Sequence, residues 1–146
     1  MGNGRAKDDL LAKINNLNLT NKFHFLGTRP SVEMPFYFAC ADLLLVSLKR
    51  SEIFSLTIPS KVQSYMACRK PIIGNVDGIT AETIFKSGSG LCSPSGNANS
   101  LAYNIEVFLY KSTMERDNYS KNSYNYFLNN FERTIIYNKL EHYLNL

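Results

Sequence analysis

The segment from Thr57 to Ser64 carries the side chains best suited to binding an anion. It places two hydroxyls and one ammonium close together at the predicted start of a helix, which is capped by Thr57 or Ser60 and ends before Pro71. A helix N-terminus offers unpaired N–H groups and a partial positive charge. The sequence therefore predicts a cradle for a diphosphate on this first turn, built from Thr57, Ile58, Pro59, Ser60 and Lys61.

The same residues allow a simpler interpretation, in which Thr57 only caps the helix and Lys61 is a solvated side chain. Residue spacing alone does not choose between the two. Other chemistries have weaker support: Gly2-Asn-Gly4 lacks the third glycine of a dinucleotide-binding fingerprint. His24 and His142 are isolated and are interpreted as structural or solvated, and no Cys/His set has the spacing of zinc ligands.

Alternating strands and helices are predicted to position this turn. Apolar runs predict strands over 22–27, 42–47, 71–74 and 90–93. Helical spacing predicts helices over 5–17, 31–40, 57 or 60 to 70, 80–87 and 99–110, and two more within 112–146. The run within 42–47 is typical of a strand that is buried on both faces. This alternation predicts an α/β fold with a Rossmann-like parallel sheet, whose ligands bind at the carboxyl ends of the strands.

Composition narrows the class of protein. The 146 residues are 45% hydrophobic, which suffices for one globular core, and the net charge of +4 comes from scattered basic residues, so we do not expect nucleic-acid binding. The N-terminus does not resemble a secretory signal, and no apolar run is long enough to cross a bilayer. Three cysteines in apolar stretches, Cys40, Cys68 and Cys92, are typical of buried thiols in a reducing cytosol.

The run from Thr57 to Ile73, Thr-Ile-Pro-Ser-Lys-Val-Gln-Ser-Tyr-Met-Ala-Cys-Arg-Lys-Pro-Ile-Ile, resembles the donor domain of family 4 glycosyltransferases, which have the two-domain GT-B fold. The resemblance extends in register over most of the chain. Its further matching pieces are Gly2-Asn-Gly4, Phe23-His-Phe-Leu-Gly27, Ala41-Asp-Leu-Leu-Leu-Val46, Gly78, Gly88-Ser-Gly90-Leu91, Pro94 and Leu101-Ala102.

This resemblance implies transfer of a sugar from a nucleotide diphosphate donor, with retention at the anomeric carbon, no cofactor and no required metal. It places the donor diphosphate and sugar at Thr57 to Lys61 and at Ser64, and the nucleobase near Thr28 and Arg29. The catalytic residues stay unassigned. The two carboxylates that most members carry are replaced by Leu56 and Ser64, and Glu52 or Glu82 could substitute only if its segment folds inward. Arg69 replaces a common glycine at the end of the helix, where a left-handed backbone favours Gly.

By the same comparison, the chain corresponds to one half of a GT-B fold that is incomplete at its N-terminus. We expect a partial Rossmann-like donor-binding domain over 1–110 and a C-terminal helical segment of the same domain over 111–146. The expected function is the donor-binding portion of a retaining glycosyltransferase that uses a UDP-sugar in bacterial surface polysaccharide synthesis. The alternative is an inactive remnant, or a non-catalytic interaction module that keeps the fold.

The expected location is cytoplasmic, with peripheral association of the full enzyme at the inner face of the membrane. A separate acceptor-domain chain is an expected partner. Self-association is also expected, because an incomplete sheet exposes an unpaired edge. The donor sugar and the acceptor are left open.

Overall fold

The structure is a computed structural model that describes residue 4 and residues 6–144. It divides into two compact units, Met1–Tyr37 and Phe38–Leu146. Of the predicted Gly2-Asn-Gly4 motif, the first two residues lie outside the described part of the chain.

The first unit contains helix α1, Lys7–Asn16, which buries Ile14. Two 3₁₀ turns follow, Thr20–Lys22 and Ser31–Glu33, and helix α2 begins at Met34 and ends at Ala39 in the second unit. The predicted strand over 22–27 is wrong: residues 23–30 form no strand. The reason is that a strand needs a hydrogen-bonded neighbour, and the sheet in the described part of the chain lies wholly within the second unit.

The second unit is built on a parallel sheet with strand order β1-β2-β3, formed by Leu44–Ser47, Ile72–Asn75 and Gly90–Ser93. Helices follow each strand. They are α3, Glu52–Ser55, and α4, Ser60–Ala67, after β1; α5, Gly78–Ser87, after β2; and α6, Ala98–Tyr110, after β3. The predicted α/β fold with a Rossmann-like parallel sheet is confirmed.

Burial differs between the strands. Every residue of β2 is buried, because β2 is the central strand and is covered on both sides. The expectation that the apolar run ending in β1 is buried on both faces is wrong, since Leu45 is 43% exposed and only Val46 is buried in this strand. An edge strand lacks a neighbour on one side, so its apolar content does not guarantee burial.

The core lies between the sheet and helices α4, α5 and the C-terminal helices. Its buried residues are Val46, Val62, Met66, Ile72, Val76 and Ile84, with Phe108 also fully buried. Complete burial of a side chain such as Phe108 contributes roughly 1.5–3 kcal/mol. The core therefore draws on apolar residues of both β1 and β2 and of the helices α4, α5 and α6.

The two predicted C-terminal helices are present as α7, Thr113–Asn130, and α8, Arg133–Leu144. A capping box at Ser112 and Glu115 starts α7. The buried Ser123 hydroxyl donates to the carbonyl oxygen of Lys70 at 2.9 Å, which ties α7 to the beginning of β2. Tyr126 and Phe127 pack against the core, so these aromatic residues act in packing.

All three cysteines are free. Cys68 and Cys92 are partly buried, but Cys40 is exposed, so the expectation of a buried thiol is wrong there. Cys40 follows the last residue of α2 and lies outside both the helix and the sheet.

Candidate functional site

Three polar residues end the three strands in one row. Register pairs Ser47 with Asn75, and Asn75 with Ser93. Because parallel strands present their carboxyl ends at one edge, the loops after these residues lie along the same edge of the sheet. This edge is the candidate site.

Asn75 fixes one loop of this edge. Its side-chain N–H groups donate to Ser93 Oγ at 3.0 Å and to the Pro94 carbonyl oxygen at 2.6 Å. Its Oδ1 accepts from the Gly96 N–H at 3.1 Å, and Asp77 Oδ1 accepts from the Ser95 N–H at 3.1 Å. Two side chains at the end of β2 thereby hold the turn at 94–97.

The loop between β1 and α4 is fixed to the first turn of α5. The Thr80 hydroxyl donates to the Thr57 carbonyl oxygen at 2.7 Å. Gly78 has φ +62°, and a Cβ there would lie 2.0 Å from the Ser55 carbonyl oxygen, so only glycine fits this approach. The segment 55–57 is therefore held against the segment 78–80.

The helix that carries the predicted anion site begins later than expected. Helix α4 starts at Ser60, with Pro59 as its N-cap in an extended conformation, so Thr57 and Ile58 precede the helix. The Thr57 hydroxyl donates to the Ile53 carbonyl oxygen at 3.4 Å and does not cap α4. The expectation that all five residues form the first turn is wrong, because Pro59 has an extended ψ of 139° and the helix can begin only after it. Proline also has no side-chain oxygen to accept a capping hydrogen bond.

Three of the helices that follow the strands, α4, α5 and α6, differ in what lies at their N-termini. Helix α6 is capped by Asn97, whose side chain accepts from the Ser100 N–H at 3.0 Å. Helix α5 has the carboxylate of Asp77 at its N-cap position. Helix α4 has neither a side-chain cap nor an acidic residue in its first turn, and it carries the exposed ammonium of Lys61 there. Of the three, α4 therefore has the N-terminus best suited to an anion.

The remaining predicted site residues have local roles in the structure. Ser64 donates its hydroxyl to the Ser60 carbonyl oxygen at 3.1 Å, within α4. Thr28 and Arg29 lie exposed in the first unit. The Arg29 Nε donates to the Leu26 carbonyl oxygen at 3.0 Å, and its guanidinium lies 5.8 Å from the centre of the Tyr37 ring.

The first unit contains a pocket of about 300 Å³, and neither Thr28 nor Arg29 lines it. The residues that line the pocket are mainly apolar. One of them, Gly27, immediately precedes Thr28 in the sequence. The lining residues are Gly4, Ala6, Lys7, Leu10, Phe25, Leu26 and Gly27.

The residues considered for the expected carboxylate positions differ in their exposure and in their ion pairing. Leu56 is 75% exposed, and Glu52 is exposed at the start of α3. Glu82 forms an ion pair with Lys86 at 3.0 Å along α5. Arg69 adopts φ +54°, so the left-handed backbone predicted at this position is confirmed.

Three residues of this edge were missed by the sequence reasoning. Arg50 lines a pocket of about 560 Å³ together with residues 94–99. Asn75 and Asp77 hold the turn that forms most of this pocket. An Asn-Val-Asp-Gly segment directly after a predicted strand was the available signal, because polar residues at the carboxyl end of a buried strand face the ligand edge.

No three His, Cys, Asp or Glu side chains in residues 4 and 6–144 come together in a group able to hold a metal ion. Within the same part of the chain, no helix is both long enough and apolar enough to span a bilayer.

A parallel sheet with helices after each strand and their N-termini along its carboxyl edge defines a Rossmann-like α/β fold. The sequence model of the glycosyl transferases group 1 family matches residues 1–126. The chain therefore belongs to this family, and the glycosyltransferase relationship predicted from the sequence is confirmed. A comparison with curated proteins gives no match.

Solved structures share the fold. Anabaena HepE in complex with UDP-glucose matches with a TM-score of 0.79 and 22% sequence identity, over 94% of this chain and 36% of HepE. The HepE complex with UDP and glucose gives a TM-score of 0.80 at 22% identity, with the same coverage. The HepE complex with UDP gives 0.75 at 20% identity. The chain thus spans about a third of the length of the structures it matches.

Proposed function

We propose that this chain is the donor-binding portion of a retaining glycosyltransferase, and that the N-terminus of α4 binds the diphosphate of a nucleotide sugar, a UDP-sugar. The observation that carries the proposal is the uncapped, acid-free N-terminus of α4 with Lys61 on its first turn. It lies at the carboxyl edge of a parallel sheet, where α/β proteins bind ligands.

The chemistry of sugar transfer suits this arrangement. The departing diphosphate gains negative charge as the glycosidic bond breaks. The first N–H groups of a helix have no intrahelical acceptor, so those of Ser60 and Lys61 are available to phosphate oxygens. The Lys61 ammonium adds a full positive charge beside them. These groups would stabilise the leaving group more strongly than the intact donor.

The remaining parts of the proposal concern the full enzyme. Thr28 and Arg29 would lie near the nucleobase, and Ser64 would bind the donor from α4. An acceptor domain would be supplied by another polypeptide segment or chain, and the enzyme would act in bacterial surface polysaccharide synthesis, in the cytoplasm at the inner face of the membrane. The division into a donor-binding part over 1–110 and a helical segment over 111–146 also stays a prediction.

The test is a titration of the ¹⁵N-labelled chain with UDP-glucose. We expect amide shifts at 60–64 at millimolar donor, and an affinity roughly tenfold lower for Lys61→Ala, since hydrogen bonds to charged groups contribute about 1.5–3 kcal/mol. Lys86→Ala removes an equally charged, exposed lysine from α5 and serves as the matched control. Absence of shifts in the wild-type chain, or equal affinity in the two variants, would contradict the proposal.

A second candidate is a non-catalytic module that keeps the fold. It is favoured by Leu56 and Ser64 at the two positions where most members carry carboxylates. The two functions are separated by mixing the donor-binding chain with a matching acceptor-domain chain and measuring sugar transfer. Donor binding without transfer in that mixture would favour the module.

Self-association is proposed from the open sheet. Strands β1 and β3 are both edges of the three-stranded sheet, and Leu45 in β1 is 43% exposed. Unpaired edges with exposed apolar side chains favour pairing between copies. Sedimentation should show a dimer or larger species at high micromolar concentration, and a single monomeric species there would contradict this.

A further inference from the structure

Asp77 lies between two loops of the candidate site. On one side, its Oδ1 accepts from the Ser95 N–H at 3.1 Å. On the other, the next residue, Gly78, approaches the Ser55 carbonyl oxygen so closely that a Cβ would lie 2.0 Å from it. Asp77 is therefore flanked by the turn at 94–97 and by the segment that leads into α4.

The carboxylate of Asp77 is only partly used by the protein. Asp77 is the N-cap residue of α5, but its side chain makes no capping hydrogen bond. The Ser95 bond occupies Oδ1, and Oδ2 has no hydrogen-bond or ion-pair partner among the described residues. The side chain is partly exposed, so a ligand at this edge can reach the second oxygen.

Other carboxylates at this edge are less suited to a ligand. Glu82 is paired with Lys86 at 3.0 Å. Glu52 lies exposed in the four-residue helix α3, and no hydrogen bond or ion pair holds its carboxylate among the described residues. Asp77 differs from both because one oxygen is anchored by a backbone N–H and the other is open, which pre-orders the group.

On the basis of the proposed donor-binding function, we propose that Asp77 accepts hydrogen bonds from hydroxyl groups of the nucleotide sugar, through the open carboxylate oxygen. An anchored carboxylate binds a vicinal diol well, because it accepts from hydroxyl donors and cannot donate itself. The diol is that of the transferred sugar or that of the ribose. Asp77 thus supplies a carboxylate that accepts hydrogen bonds from hydroxyl groups. The chain has Leu56 and Ser64 at the two positions where carboxylates are expected.

The test compares Asp77→Asn with the wild-type chain on three ligands: pyrophosphate, UDP and UDP-glucose. The asparagine keeps one oxygen for the Ser95 N–H, removes the charge and replaces the open oxygen with an NH2 group, which donates instead of accepting. Removing a carboxylate weakens the repulsion of every diphosphate, and more for a ligand of higher charge, so affinities are expressed relative to pyrophosphate and only a fall near tenfold is assigned to a lost diol contact. We expect the relative affinity to fall about tenfold for a ligand whose diol binds Asp77. If the relative affinity already falls for UDP, the diol that binds Asp77 is that of the ribose. If it falls only for UDP-glucose, the diol is that of the transferred sugar.

Glu82→Gln is the matched control, because it removes a carboxylate one turn further along α5 and should leave the ratios unchanged. If the affinities relative to pyrophosphate are unchanged in Asp77→Asn while the wild-type chain binds normally, the proposed role of Asp77 is overturned and the donor-binding function is not. If the wild-type chain binds none of the three ligands, the donor-binding function fails, and the role of Asp77 fails with it. Thermal unfolding of both variants checks that each is folded.

Discussion

Replacing Arg69 with glycine should stabilise the end of α4. The helix ends in a Schellman motif, in which the Lys70 N–H donates to the Tyr65 carbonyl oxygen at 3.1 Å and the Arg69 N–H donates to that of Met66 at 3.0 Å. Arg69 occupies the left-handed position of this motif with φ +54°. A residue with a Cβ pays roughly 1–2 kcal/mol in that conformation, and glycine does not.

One interaction opposes this gain. The Arg69 guanidinium lies 3.3 Å from Asp117 Oδ1, and the two side chains are 52% and 44% exposed. An exposed ion pair contributes about 0–1 kcal/mol. Arg69→Gly should therefore be neutral or up to about 2 kcal/mol more stable than the wild type. Arg69→Ala loses the same ion pair but keeps the backbone cost. The free energy of unfolding of the glycine variant should therefore exceed that of the alanine variant by about 1 kcal/mol.

Urea unfolding followed by circular dichroism measures the difference. With a slope of about 1–3 kcal/mol per molar urea, the midpoint for Arg69→Gly should lie roughly 0.5 M above that for Arg69→Ala. Asp117→Asn removes the ion pair without changing the helix end, and it gives an upper limit on the pair because Asp117 also contacts Lys121 at 2.7 Å. Equal or reversed midpoints for the glycine and alanine variants, with unchanged slopes, would refute this account of the helix end.

Three further predictions concern backbone space, pH and thiol reactivity. A Cβ at Gly90 would lie 1.6 Å from a carbonyl oxygen of β2, whereas Gly96 has φ +79° and open space around it. Gly90→Ala should therefore lower the melting temperature well beyond Gly96→Ala, which costs about 1 kcal/mol of backbone strain; similar melting temperatures would contradict this. Hydrogen bonds from the serine of the capping box, and then from a neighbouring lysine, lower the pKa of Glu115 from 4.5 to about 2. The stabilising effect of Glu115 is complete above pH 4.5 and is lost as pH falls toward 2. The wild type should therefore exceed Glu115→Gln in free energy of unfolding, measured in urea, by an amount that shrinks over that range. A constant difference would exclude this linkage. Burial raises the pKa of Cys92 to about 11, so at pH 8 about one thiol in a thousand is ionised and iodoacetamide should label exposed Cys40 first; faster labelling of Cys92, read by peptide mass spectrometry, would contradict this.

The sequence determined the architecture of the second unit well. Apolar runs of four to six residues between helical patterns predicted all three strands, because a central parallel strand such as β2 must be apolar on both faces. The left-handed backbone at Arg69 was predicted from the resemblance, because the family commonly has a glycine at this helix end. The segment with Lys61 was identified because hydroxyl and ammonium groups at a helix start have a definite electrostatic use.

Some local features required neighbours that a sequence does not display. Residues 22–27 have a strand-like composition, but no strand pairs with them in the described part of the chain. Leu45 belongs to an apolar run, but its place in an edge strand leaves it 43% exposed. Pairing and burial are properties of the assembled sheet, so composition alone could not decide either.

The candidate site shows the same division. The sequence by itself determined that two hydroxyls and one cation lie at the start of a helix that follows a strand. This was enough to predict an anion site near Ser60 and Lys61. Only the tertiary structure decided that α4 begins after Pro59, that Asp77 stands at the N-cap position of α5, and that the side chain of Asn97 caps α6. It also decided that Asp77 and Asn75 hold the turn after β3, since hydrogen bonds that join residues about 20 positions apart depend on strand register.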